Sequence, residues 1–271
     1  MSLNLDTRQR AMLAEMGVRV WSPAQAPEAV AVAESPASLP RQRLEPAAPA
    51  VPAAPTAPVA PTASVVLRPL PEGLAQMDWS SLQAAAASCQ ACGLCEGRQH
   101  NLFANRSWTE GERVSWLIVG DAPSQAEDLA GQAFVGDEGV LLDAMLQALG
   151  LSRSGANSPV LITSAVKCHP SANRNPAPEE IAHCQAYLKR QIELLQPQVV
   201  LAMGRFAAQA LLHGSMGEAA TQPLGKLRGQ VHAAHGTQVV VSYHPTYLLR
   251  SPSDKAKAWA DLCLAKSLVQ G

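Results

Sequence analysis

The chain lacks the features that would place it in several large classes. It has no basic excess: 21 Lys and Arg stand against 22 Asp and Glu, a formal net charge of -1. That excludes a whole-surface positive field, so any nucleic-acid surface must be a local patch. It has no long apolar run, the longest falling well under the ~20 residues needed to cross a bilayer. Its N-terminus lacks the charged-then-apolar pattern of a secretory signal, which points to the cytoplasm. In that compartment six cysteines argue against a disulfide framework and for metal binding or thiol chemistry.

What is present falls into three zones. Residues 1–21 carry a short amphipathic pattern, with Leu5, Met12, Leu13, Met16, Val18 and Trp21 set among Arg and Glu. Residues 22–77 are rich in Ala and Pro, and twelve of the 21 prolines fall between Pro23 and Pro71. Such a segment forms neither helix nor core and reads as a disordered, extended tether. Residues 78–271 have the composition of a folded domain.

Within that domain, strands and helices alternate. Asp78 caps an expected helix reaching Cys89. Apolar runs at Trp116–Val119, Val160–Thr163, Val199–Ala202 and Val239–Tyr243 read as strands. Helices are expected over 138–150, 178–195, 204–213 and 253–268, the second with Pro178 and two Glu in its first turn. Continuous apolar strands separated by helices predict a three-layer α/β/α fold around a central four-stranded parallel sheet. Ligands of such sheets bind beyond the carboxyl ends of the strands. Here those ends carry Gly120-Asp121-Ala122-Pro123, Ser164 and His244-Pro245.

Cys89 and Cys92 form a C-x-x-C, a weak signal alone. Cys168 follows the second strand and Cys184 sits early in the next helix. Four thiolates from two distant segments can close one site, and either zinc or an iron–sulfur cluster accepts four sulfurs. Cys95 and Cys263 are left over and read as small buried hydrophobes.

Several ordered blocks carry a resemblance. They are Cys89-x-x-Cys92-x-Leu94-x-x-x-Arg98; Val119 to Ser124 with Glu127-Asp128 and Gly131 to Gly136; Ile162 to Pro170 with Asn173-Arg174; Cys184 with Tyr187-Leu188; Leu227-Arg228-Gly229; and Tyr243 to Arg250. In order and spacing they resemble the iron–sulfur, family-4 uracil-DNA glycosylases over nearly all of 78–271. The resemblance implies a [4Fe-4S] cluster on Cys89, Cys92, Cys168 and Cys184. It implies hydrolysis of the bond between uracil and deoxyribose in single- or double-stranded DNA, with the base flipped into a pocket. By the same resemblance Asp121, Glu127 and His244 are the catalytic candidates, and Ala122, Pro123, Phe134, Ser164 and His244 line the substrate pocket. Leu248 becomes the wedge that fills the vacated stack. Arg174, Arg228 and Arg250, with Arg98 and Lys167, become candidate phosphate contacts. The chain departs from the family pattern at Asp121 (usually Glu), Ser124 (usually Gly), Ser164 (usually Asn) and His169 (commonly Arg). An Asn amide both donates to and accepts from a uracil edge, whereas Ser offers one hydroxyl. An impaired pocket would leave an adaptor role.

Residues 8–21 also resemble the N-terminal peptide of the psi subunit of the bacterial replicative clamp loader. An apolar peptide on a long tether suits docking to a partner, and the resemblance implies a clamp-loader protein bound through residues 1–21.

Overall fold

The computed structural model describes Met12, Glu15, residues 66–155 and residues 158–270. The rest of the expected docking peptide, and the tether up to residue 65, lie outside the described residues. The folded region starts ahead of Asp78. Leu67 forms an antiparallel bridge with Cys92, and Leu74 is buried.

Helix α1 (Trp79–Ala87) begins where the Asp78 carboxylate accepts the Ser81 N–H at 2.7 Å. That satisfies a donor that the first turn leaves orphaned. Strands β1 (Trp116–Gly120), β2 (Val160–Ser164) and β3 (Val199–Met203) are each buried along their whole length. β4 (Val231–Ala234) and β5 (Thr237–Ser242) complete a five-stranded sheet of order β2-β1-β3-β5-β4. The first four strands in that order are parallel, as expected. β4 is the addition, paired antiparallel to β5 at the edge. The sequence hid it because it is four residues long and largely exposed. Its hairpin uses His235-Gly236, both at positive φ (51° and 77°), rather than a more recognisable Asn-Gly.

The remaining helices are α2 (Gln125–Ala130), α3 (Gly136–Ala148), α4 (Pro178–Leu195), α5 (Arg205–Met216), α6 (Leu224–Leu227), α7 (Pro245–Arg250) and α8 (Lys255–Gln270). Side chains alternate across the sheet. Leu117, Val119, Leu161, Val200 and Val241 face α1, α4 and α5, while Ile118, Ile162, Leu201 and Val240 face α3 and α8. Met12 is partly buried against this second cluster. No helix among the described residues is long and apolar enough to cross a membrane.

Ile118 lies on β1, between β2 and β3, with no exposed surface. Replacing it with Ala should cost about 2–5 kcal/mol of stability, read as a lowered denaturant midpoint at unchanged slope.

Candidate functional site

The strand order creates one topological switch point. β1 lies between β2 and β3: the chain moves outward from β1 to β2, then crosses back past β1 to β3 on the other side. A crevice forms at the carboxyl ends of strands on either side of such a point. Asp121, just past β1, reaches across it. Its Oδ1 accepts the Ala207 N–H at 2.9 Å, in the first turn of α5. Loss of water outweighs these backbone donors and pushes the Asp121 carboxyl up to about 6. Gly204 (φ 114°) makes the approach possible, since a Cβ there would collide with the carboxylate.

Phe134 is held in the same crevice by two opposite charges. Ser124 caps α2, and Glu127 closes a capping box with it. Glu127 Oε2 accepts from the Ser124 N–H and Oγ–H, both at 2.7 Å, and Oε1 accepts the Phe134 N–H at 2.5 Å. From the other side Arg153 Nη1 donates to the carbonyls of Ala133 (3.1 Å) and Phe134 (3.0 Å). Thus gripped, Phe134 sits at φ 55°, an unusual conformation for a bulky residue. Its ring lies on the bare Cα of Gly120, where a Cβ would come within 2.9 Å of Cζ. It stacks on the His244 ring at 5.2 Å between centroids.

His244 is the N-cap of α7. Its Nδ1 accepts from the Thr246 hydroxyl (2.9 Å) and N–H (3.3 Å), which puts the ring proton on Nε2. Burial, helped by Arg250, lowers its pKa to about 4, so the imidazole is neutral at pH 7. Ser164 is buried at the end of β2, and His169 Nδ1–H donates to the Pro123 carbonyl at 2.8 Å. Outside these residues a cleft of about 680 Å³ opens between Asp121, Arg205, Phe206, Tyr243, His244, Tyr247 and Arg250.

Several expectations need correction. Leu248 is fully buried in the core on the α3 and α8 face and cannot serve as a surface wedge. On α7 the exposed apolar side chains are its neighbours Tyr247 and Leu249. Arg174 is not a free phosphate ligand: both its Nη atoms are spent on buried Glu180 at 2.7 Å. Arg228 forks onto buried Asp261 (3.1 and 2.8 Å) and lies over the Tyr243 ring. Lys167 is buried in the interior, and Arg98 points at a thiol. Arg250 alone of these cations lies exposed on the cleft wall. Glu127 is a positioning group, its carboxylate already committed to three hydrogen bonds. Two residues were missed. Arg205, stacked on Phe206 at 4.6 Å, follows the end of β3, and the strand-end rule could have found it. Arg153 lies outside every motif, and nothing in the sequence marks it.

The thiols form a second site. Cys89, Cys92, Cys168 and Cys184 all line one cavity, together with Cys95, whose letter alone suggests only a small buried hydrophobe. Cys263 is exposed elsewhere, on α8. Burial pushes the thiols of Cys92 and Cys184 up to about 11 and about 12, so they stay protonated unless a bound metal supplies charge. Arg98 Nη1 donates to Cys168 Sγ at 3.2 Å. Among the described residues, no three His, Cys, Asp or Glu side chains converge closely enough to hold a single metal ion.

A largely parallel α/β sheet with a His–Phe stack at its switch point, backed by a cysteine-lined cavity, defines the class. The chain belongs to the uracil DNA glycosylase superfamily, whose profile matches residues 109–263. It is similar to the type-4 uracil-DNA glycosylase of Pyrobaculum aerophilum, 37% identical over 69% of this chain and 93% of that protein. It is likewise similar to the type-4 enzymes of Archaeoglobus fulgidus (37%, covering 61% of this chain and 80% of the relative) and Thermotoga maritima (35%, covering 67% and 90%).

The burial of Leu248 gives a direct check. Leu248→Ala should destabilise the fold by about 2–5 kcal/mol, as a core truncation does, whereas Leu249→Ala should stay within about 0.5 kcal/mol. Equal melting curves for the two variants would return Leu248 to the surface.

Proposed function

We propose that this protein is a uracil-DNA glycosylase of the iron–sulfur type, a hydrolase that cuts the bond between uracil and deoxyribose in DNA. The observation that carries the reading is the neutral His244, its Nε2–H available, stacked on Phe134 at the switch point of a chain similar along most of its folded part to three type-4 enzymes.

Binding begins with a base leaving its stack, a cost of a few kcal/mol. His244 covers Phe134, so the two rings must part before uracil can stack on the phenyl face. Base–aromatic stacking then returns about 1–3 kcal/mol. Arg205 and Arg250 on the cleft walls hold phosphates, and exposed Tyr247 and Leu249 take the wedge role intended for Leu248.

As the glycosidic bond breaks, its electron pair moves onto uracil and positive charge grows on the sugar. The Nε2–H of His244 donates to the developing uracil oxyanion. A neutral imidazole does this without first surrendering a proton, so the donor is in place throughout. The Asp121 carboxylate, ionised above about pH 6, faces the positive sugar and orients water toward C1′. Water supplies hydroxide to the sugar and a proton to uracil, leaving an abasic site. Glu127 and Arg153 keep Phe134 in register. Ser164, where relatives of this type usually carry Asn, offers the uracil edge one hydroxyl, which weakens discrimination between uracil and other bases.

Cys89, Cys92, Cys168 and Cys184 would hold a [4Fe-4S] cluster. The donor set fits: four thiols from two segments face one cavity. Around a single zinc, sulfurs at about 2.3 Å from the metal would all converge on one point, whereas a cube of iron and sulfide holds them farther apart. Bound there, a cluster would tie the loop after α1 to Cys168 after β2 and to Cys184 in α4. The clamp-loader reading of residues 1–21 has no support from the relatives. Action on DNA in the cytoplasm suits the absence of a spanning helix among the described residues.

Uracil-containing oligonucleotide should be converted to alkali-labile sites. His244→Ala should lower kcat by about 10²–10³-fold, the usual loss for one oxyanion donor; an unchanged rate would remove His244 from the chemistry. Asp121 is charged above about pH 6, and His244 stays neutral down to about pH 4. The rate should therefore fall as pH drops through about 6, and Asp121→Asn should be slow with no acid limb there. Protein purified without oxygen should be brown and carry four irons per chain by this reading; zinc in their place would refute the cluster.

A further inference from the structure

Lys167 has an environment that neither the pocket nor the thiol site explains alone. Its side chain is buried inside the domain, 2% exposed. The ammonium has three donors and three acceptors: Thr163 Oγ1 at 2.6 Å, the Ser164 carbonyl at 2.8 Å and Gln191 Oε1 at 2.7 Å. Gln191 is fixed in that orientation because its amide donates to the Phe103 carbonyl at 2.8 Å. None of the three acceptors is charged, and no carboxylate pairs with Lys167 among the described residues. A buried cation without an anion is costly, and such groups are found paired or beside metal sites. The sulfurs of Cys168 and Cys184 line the same cavity as Lys167, and they become anionic thiolates only when a metal group binds them. On its other flank Cys168 receives Arg98.

We propose that Lys167 is the buried counter-charge of the thiolate site and, with the same ammonium, anchors the end of β2 that forms the pocket floor. Four thiolates around a cluster core leave net negative charge in this cavity. Lys167 and Arg98 offset it from two sides of Cys168. Because the anchor is the Ser164 carbonyl, the group that balances the thiolates also fixes where β2 ends beneath the substrate. Lys167 is thus a positioning residue, reaching the pocket through Ser164 and touching no substrate. This inference rests on the iron–sulfur reading above.

The test compares full-length wild type, Lys167→Met and Lys167→Gln, purified without oxygen. Iron, sulfide, reduction potential and steady-state constants on a uracil oligonucleotide are measured for each. Removing a positive charge makes electron addition harder, so both variants should show a potential shifted negative of wild type, or fold normally by circular dichroism yet lose bound iron. Both should also raise KM several-fold more than they lower kcat, as a displaced pocket floor would. Lys167→Arg, which keeps the charge, should recover the potential. Loaded variants with the wild-type potential would overturn the counter-charge, and an unchanged KM would overturn the anchor. If Lys167→Met fails to fold, Lys167→Gln, which keeps a hydrogen-bonding head, decides alone. Iron-free wild type would instead refute the cluster reading and is distinguishable from either result.

Discussion

The carboxylate of Glu127 is the contact on which the pocket depends. It closes the α2 capping box through Ser124 and reaches seven residues onward to the Phe134 N–H. One anion thereby ties the loop after β1 to the loop before α3. Without it Phe134, in the left-handed region, would have little reason to remain there, since a bulky side chain at positive φ is strained by about 1–3 kcal/mol. The ring would then leave Gly120, and His244 would lose the surface it stacks on. Strain at a single residue, balanced by Glu127 on its amide and Arg153 on its carbonyl, sets the shape of the crevice.

The order of the sheet explains why these groups meet at all. Parallel strands buried on both faces leave only their ends available for chemistry, and the β1–β3 switch brings Asp121 to the start of α5. The same burial moves two ionisable groups in opposite senses. Desolvation disfavours charge, so it raises the carboxyl of Asp121 and lowers the imidazole of His244. At neutral pH one environment thus contains an ionised acid and a neutral base. That is the pairing needed when positive charge forms on a sugar and negative charge on a base.

Much of this was legible in the sequence, for identifiable reasons. Strands of five apolar residues cannot face water on either side, so their runs announced the parallel sheet. Asp78 and Pro178 announced helix starts because capping and first-turn chemistry are local. The cysteine spacing indicated two arms of one site, and the structure turns all four thiols to a common cavity. What failed was what depends on side-chain partners far along the chain. Arg174 and Arg228 look like free cations until Glu180 and Asp261 are seen to hold them. Leu248 and Leu249 are indistinguishable as letters, and only the rotation of α7 decides which enters the core. Arg153 carries no motif because its task, two carbonyls on a distant loop, leaves no local pattern.

The connection between β2 and α4 ties the two sites together physically. From the end of β2 at Ser164 it carries the thiol of Cys168 and His169, whose ring holds the Pro123 carbonyl across the pocket, and it leads into α4, whose second turn carries Cys184. A rigid tie at Cys168 and Cys184 therefore limits movement at Ser164 on one side and at Pro123 on the other. Preorganisation of this kind matters most for a site that relies on fixed dipoles rather than on a nucleophilic side chain, because donors that must reorient as charge develops forfeit part of their stabilisation. On the proposed iron–sulfur reading, a cluster held by these thiols would support catalysis by holding still the loop that carries the pocket.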